Sequence, residues 1–128
     1  LIADLDGLKP INDTYGHPGG DYVVRELGHL VQSKLVLSHD YFARYGGEEF
    51  VLILQATPIK TANDVAERIR QTVESHPFNF NGQPIKVTIS IGVSEKKEND
   101  TWENLYNRAD KALYSSKQAG RNRVTVGD

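Results

Sequence analysis

The 128-residue chain contains no cysteine and no methionine, and only one tryptophan. Without cysteine there is no disulfide framework, no thiolate metal site and no cysteine nucleophile, a composition that fits a cytoplasmic setting. No apolar run approaches the length of a membrane span and no signal peptide is expected, so the domain is expected to make no membrane contact of its own. Neither sign of charge dominates. The 17 acidic and 15 basic residues leave a net charge of −2, which gives no general attraction for nucleic acid. The missing methionine carries a different expectation. The chain opens on Leu1, already inside an apolar segment, as an excerpt would whose natural start lies upstream.

What is present is ordinary for a globular domain: 38% apolar and 25% charged residues, enough for one domain with one core. Residues 1–5 read as a strand that runs into Asp4-Leu5-Asp6. Pro10 and Gly16 allow at most a short helix between them. A longer helix is expected to start at Gly19-Gly20-Asp21, with Asp21 as its N-cap and Val23, Leu27, Leu30, Val31 and Lys34 on one face. Residues 40–45 and 49–54 read as strands joined by a two-residue hairpin at Gly46-Gly47. Residues 61–76 form an amphipathic helix with Ala62, Val65, Ala66, Ile69 and Val73 as its stripe, ended by Pro77. Asn81-Gly82 marks a turn, and the β-branched stretch 85–94 reads as one long strand. After a polar loop over 95–100, residues 101–118 form a second amphipathic helix, with Trp102, Leu105, Tyr106, Ala109, Leu113 and Ser116 on one side. Gly120 closes it, and residues 123–126 read as an edge strand.

The order β-α-β-β-α-β-α-β begins as the split βαβ, ferredoxin-like plan, an α+β class. That plan sets the first strand between the third and fourth of an antiparallel sheet, with its C-terminal end beside the hairpin of strands two and three. Asp4 and Asp6 then meet Gly46-Gly47-Glu48-Glu49, which is 40 residues away in sequence. Carboxylates gathered at one strand end repel one another unless a cation lies between them. A hard divalent ion, Mg²⁺ or Mn²⁺, suits such a site, since Mg²⁺ is commonly held by one or two carboxylates plus substrate phosphates. Each acidic pair taken alone reads as solvated surface; their convergence points to phosphoryl-transfer chemistry.

Lys117 and Arg121 flank Gly120. The helix dipole accounts for Lys117 without further function, but less well for Arg121, which lies beyond the cap. Together they suit a phosphate clamp, and backbone N–H groups at the helix start after Asp6 suit phosphate as well. Asn12 and Asp21 have local roles at helix ends as one reading and base recognition as another. A carboxylate can accept both donors on the guanine edge, although spacing alone does not separate guanine from adenine.

The segment Asp4-Leu5-Asp6-Gly7-Leu8-Lys9-Pro10-Ile11-Asn12-Asp13-Thr14-Tyr15-Gly16-His17-Pro18-Gly19-Gly20-Asp21 resembles the metal-and-guanine segment of GGDEF domains, the diguanylate cyclases. Arg44-Tyr45-Gly46-Gly47-Glu48-Glu49-Phe50 resembles the naming motif of that family in its GGEEF form. Thr88-Ile89-Ser90-Ile91-Gly92-Val93 and Ala109-Asp110-Lys111-Ala112-Leu113-Tyr114-Ser115-Ser116-Lys117, followed by Gly120-Arg121-Asn122, match two later blocks. The resemblance spans essentially the whole chain.

It implies a palm-type fold related to nucleotidyl cyclases. The activity implied is condensation of two GTP into cyclic di-GMP, with release of two pyrophosphates, between two copies of the domain in a homodimer. By motif position, Asp4, Glu48 and the carbonyl of Leu5 ligate the divalent ions, two per half-site. Glu48 or Glu49 eases deprotonation of the GTP 3′-hydroxyl. Asn12 and Asp21 hold guanine, and Lys117 and Arg121 bind phosphate. Asp6 and Lys9 lie in the motif without a firm role, and His17 is expected to pack or hydrogen-bond the turn.

Two departures stand out. The product-inhibition motif Arg-x-x-Asp keeps Asp40 but has Leu37 in place of Arg, so cyclic di-GMP inhibition is expected to be weak. Arg68 and Arg70 on the next helix remain available as secondary contacts to product. The opening segment and helix of the family are not in these residues, and an upstream regulatory domain is expected in the full protein, which could itself be membrane-anchored. The catalytic domain is thus expected to occupy 1–128. A GGDEF module that binds GTP or cyclic di-GMP without turnover is the alternative. An RNA-binding sheet is disfavoured by the acidic strand ends.

Overall fold

A computed structural model describes residues 1–34 and 40–127. Its elements are β1 (Ile2–Leu5), α1 (Leu8–Lys34), β2 (Tyr41–Arg44), β3 (Glu49–Ile53), α2 (Ile59–Ser75), β4 (Phe78–Phe80), β5 (Gln83–Ile85), β6 (Ile89–Val93), α3 (Trp102–Gln118) and β7 (Val124–Val126). The central sheet has the order β2-β3-β1-β6-β7, antiparallel except for the β6–β7 pair, so β1 lies between β3 and β6 as the split βαβ plan requires. No helix among the described residues is long and apolar enough to cross a membrane.

Strand pleating sorts the side chains of β1 by parity. Ala3 and Leu5 face the larger core, which also takes Val23, Leu27, Leu30 and Val31 of α1 and Ala66, Ile69 and Val73 of α2. Ile2 faces α3 and packs on Ala109 and Leu113. Gly92 of β6 lies on that second face. A Cβ there would collide with the Ala109 carbonyl and the Leu113 amide, so glycine lets α3 lie directly on the strand.

Four sequence expectations change. Asp21 is not an N-cap. It lies inside α1, which runs from Leu8 and is interrupted only at Gly16 (φ 76°, ψ 170°), with Pro18 set in the first turn after the break, where its missing N–H costs nothing. The β2–β3 hairpin closes with three residues, Gly46-Gly47-Glu48, because Tyr45 N–H bonds to the Glu49 carbonyl and Glu49 N–H to the Gly46 carbonyl. The stretch 85–94 is two strands. Gln83–Ile85 pairs with β4 through a tight Asn81-Gly82 turn, and the chain then turns over 86–88 to enter the central sheet beside β1. Asn81 (φ 51°) and Gly82 (φ 81°) have the left-handed pair of angles that a type I′ turn needs. Trp102, expected on the buried side of α3, is 51% exposed. Lys34 ends α1, and its side chain lies outside the described atoms, as does Leu37.

The β4–β5 hairpin braces α1 beyond its break. Tyr22 packs on Phe80 with ring centroids 5.7 Å apart, and its hydroxyl accepts the Asn79 N–H at 3.1 Å.

Candidate active site

The carboxylates converge because the ladder brings them together. Asp4 pairs with Glu49 across β1–β3 and with Ser90 across β1–β6, and Leu5 N–H bonds to the Glu48 carbonyl at 3.2 Å. Asp4 and Glu49, being directly opposite, share the α3 face of the sheet.

Their surroundings divide them into distinct roles. Asp6 is buried and saturated. Its carboxylate accepts Ser90 Oγ (2.7 Å), Thr88 Oγ1 (2.9 Å) and Asn122 N–H (3.0 Å). It therefore fastens the loop after α3 to the strand end and has little capacity left for a metal. Glu49 Oε1 accepts the Tyr106 hydroxyl at 2.7 Å, and that hydrogen bond to a carboxylate holds the phenol pKa well above its usual value. Glu48 makes no side-chain hydrogen bond or ion pair among the described residues. Asp4 is the unsatisfied member of the cluster: its Oδ1 is buried with no hydrogen-bond partner among the described residues. Burial pushes the Asp4 pKa up to about 6; Lys117 opposes the rise, and the charges of Glu48 and Glu49 add to it.

A buried orphan oxygen beside two further carboxylates is a place where positive charge is missing, so these residues fit a divalent cation. Among the described residues no group of three His, Asp or Glu side chains is arranged to hold a metal ion by itself.

Lys117 supplies part of the missing charge. Its Nζ lies 3.6 Å from both Asp4 Oδ2 and Asp6 Oδ1. The dipole of α3 is therefore not its only partner. Arg121 follows a Schellman-type ending, in which its N–H bonds to the Ser116 carbonyl (3.0 Å) and the Gly120 N–H to the Lys117 carbonyl (3.4 Å). That turn leaves Arg121 left-handed (φ 67°) and exposed just past the helix.

Asn12 and Asp21 come together through the course of α1. Asn12 Oδ1 lies against the Gly20 backbone, where any side chain would displace it, one residue before the exposed Asp21. A groove of about 600 Å³ starts at Asp21 and continues past Arg25, His29 and Arg44 to Phe42 and Phe50. A slightly larger groove, about 640 Å³, lies between β3, the start of α2 and α3, and none of the four carboxylates lines it. Lys9 is exposed and 3.5 Å from Asp13. His17 is exposed and makes no side-chain hydrogen bond among the described residues, so it does not pin the turn there as expected. Arg68 is exposed on α2, whereas Arg70 is engaged by Glu67 (2.7 Å), Glu74 (3.3 Å) and Asn122 (3.1 Å). Asp40 lies just before β2 and is half-buried.

Comparison with known proteins decides the lineage. The family described as "Diguanylate cyclase, GGDEF domain" matches residues 1–123. The chain is a GGDEF domain. It is 49% identical over 127 residues to Diguanylate cyclase A of Treponema denticola, covering 98% of this chain and 34% of that protein. It is 46% identical to the response regulator PleD of Caulobacter vibrioides, covering 97% and 28%. The chain thus spans about a third or less of these relatives. Among solved structures, the GGDEF domain of DgcB from Caulobacter crescentus in complex with c-di-GMP superposes with a TM-score of 0.92 at 35% identity, covering 98% of this chain and 74% of that one. The active GGEEF domain of a Vibrio cholerae diguanylate cyclase gives 0.89 at 38%, covering 99% and 80%. The GGDEF fold is therefore the palm-type α+β sheet expected from the sequence.

Sequence reasoning missed two contributors, Tyr106 and Asn122. Tyr106 reads from its spacing as one more apolar position of α3, and only its hydroxyl, paired with a residue 57 positions away, distinguishes it.

Proposed function

We propose that this GGDEF domain, over 1–128, is a diguanylate cyclase catalytic unit, one half-site of a homodimer that condenses two GTP into cyclic di-GMP. The observation that carries the reading is Asp4: a buried carboxylate with an orphan oxygen, flanked by Glu48 and Glu49 and faced by Lys117. Asp4, Glu48 and the Leu5 carbonyl would hold Mg²⁺ or Mn²⁺, two ions per half-site, which supply neutralisation of the charge that builds on the phosphates.

The protein's own residues do the rest. Asn12 and Asp21 bind the guanine edge, the carboxylate accepting from N1–H and the exocyclic amine. Lys117 and Arg121 hold the triphosphate, and Lys117 moves from its Asp4–Asp6 bridge to a phosphate oxygen as substrate arrives. Glu48 takes the proton from the 3′-hydroxyl of one GTP, since Glu49 is engaged with Tyr106. That oxygen attacks the α-phosphate of the GTP on the opposite domain, and pyrophosphate leaves. The same step repeated in the other direction closes the ring and releases the second pyrophosphate. Positioning and charge neutralisation supply most of the acceleration. Two half-sites must meet, so turnover rises steeply with domain concentration or with the action of a regulatory domain elsewhere in the protein.

Incubation with GTP and Mg²⁺ should yield cyclic di-GMP and two pyrophosphates per ring. Failure of a demonstrably dimeric sample to turn over would overturn the reading and leave a nucleotide-binding module. Glu48→Gln should lower turnover by a factor of about 10² to 10⁴, the range for losing a general base, with GTP binding changed far less. Equal loss of both would make Glu48 a substrate anchor instead.

A further inference from the structure

Glu48 ends a three-residue loop, and its carbonyl accepts the Leu5 N–H of β1 at 3.2 Å. Gly46 (φ 76°) and Gly47 (φ 39°) precede it, both left-handed, and β2 on one side of the hairpin is an edge strand. The loop is tied to itself by the Arg44 Nε bond to the Gly47 carbonyl (2.7 Å) and by the Tyr45–Glu49 ladder bond. Its tie to the opposite layer is Tyr106. The hydroxyl of Tyr106 donates to Glu49 Oε1 at 2.7 Å. Its ring lies 5.8 Å from Tyr45 on one side and 6.0 Å from Trp102 on the other. One side chain of α3 thus grips the residues on both flanks of Gly46-Gly47-Glu48. Helix α3 also carries Lys117, so the grip fixes the distance between the hairpin and the lysine that faces Asp4.

We propose that Tyr106 is a positioning residue of this site: it anchors the Glu48-bearing hairpin to α3 through Glu49 and Tyr45. The proposal rests on the cyclase reading for its kinetic consequence but not for the anchoring itself. Glu49 then serves as the hairpin's handle toward α3, a side-chain tie added to the backbone bond from Leu5 N–H to the Glu48 carbonyl (3.2 Å).

Tyr106→Phe tests this, because it keeps the ring between Tyr45 and Trp102 and removes only the hydroxyl. In nucleotide-free protein, hydrogen–deuterium exchange should rise several-fold for a peptide covering 45–49 and stay unchanged in β6 and α2. In turnover, kcat should fall about ten-fold, less than the ~100-fold that a 1 Å misplacement can cost, with KM for GTP within about two-fold. Glu49→Gln, which keeps an acceptor for the hydroxyl, should retain wild-type exchange over 45–49. Wild-type exchange in Tyr106→Phe would overturn the proposal. So would an increase spread over the whole domain, or kcat and KM worsening together, either of which makes Tyr106 a packing residue only. Absence of turnover in demonstrably dimeric wild-type protein would sink the cyclase reading, while the exchange data would still decide the anchor.

Discussion

Removing the carboxylate of Asp4 should make the nucleotide-free domain more stable. Its side chain is 17% exposed, with one oxygen that nothing in the protein satisfies. The pKa stands at about 6 instead of the ordinary 3.8, so the folded state holds a proton there that the unfolded chain releases. Stability from this group is therefore fully present below about pH 4 and lost as pH rises through about 6. Taken whole, the displacement corresponds to ~3 kcal/mol at about 1.4 kcal/mol per decade. Solvent at the mouth of the site and the nearby lysine reduce the realised cost to about 1–2 kcal/mol. Asp4→Asn keeps the shape and removes the charge. At pH 7.5 in chelator its Tm should rise by about 5 °C, and at pH 4 the two proteins should melt together. Adding Mn²⁺ should raise the Tm of the wild type and leave the variant unmoved. A variant that melts below wild type at pH 7.5, or a difference equal at both pH values, would refute the account of Asp4 as an unneutralised charge awaiting a cation.

The remaining predictions concern packing and product. Gly92→Ala should cost about 3 kcal/mol in urea unfolding, because the new methyl meets the backbone of α3 and not a side chain that can rotate away; a loss under about 1 kcal/mol would mean that α3 shifts freely. Cyclic di-GMP should bind weakly in calorimetry, since Leu37 replaces the motif arginine and Arg70 is occupied by Glu67, Glu74 and Asn122. Tight binding that Asp40→Ala abolishes would contradict this.

Much of the molecule can be read in its sequence because the deciding forces are local. Asn81-Gly82 can hardly be anything but a tight turn, and the apolar stripes of α2 and α3 bury where their period says, except at Trp102. The convergence of Asp4 with Glu48 and Glu49 is legible from topology alone. What escapes is long-range. The stretch 85–94 carries a strand's composition throughout, yet its first residues pair with β4 and its last with β1, and no local propensity records that change of partner. Asp21 looks like a cap because Gly19-Gly20 look like a loop. Those glycines are instead demanded by close neighbours, Asn12 among them, inside a continuing helix. The division of labour among four carboxylates depends on donors between 57 and 116 residues away for Asp6 and Glu49, so the acidic motif by itself cannot say which member is free.

The alternation along β1 has a consequence for how the chain finds its fold. Ala3 and Leu5 enter the larger core, while Asp4 and Asp6 take the opposite face. A slip of one residue against β3 or β6 would send both carboxylates into the apolar layer beneath α1 and α2, at a cost of several kcal/mol for each buried charge without a partner. The acids at this strand end therefore act during folding as sentries against misregistration. The charges on which the proposed chemistry depends also ensure that β1 docks in the one alignment where that chemistry can take place.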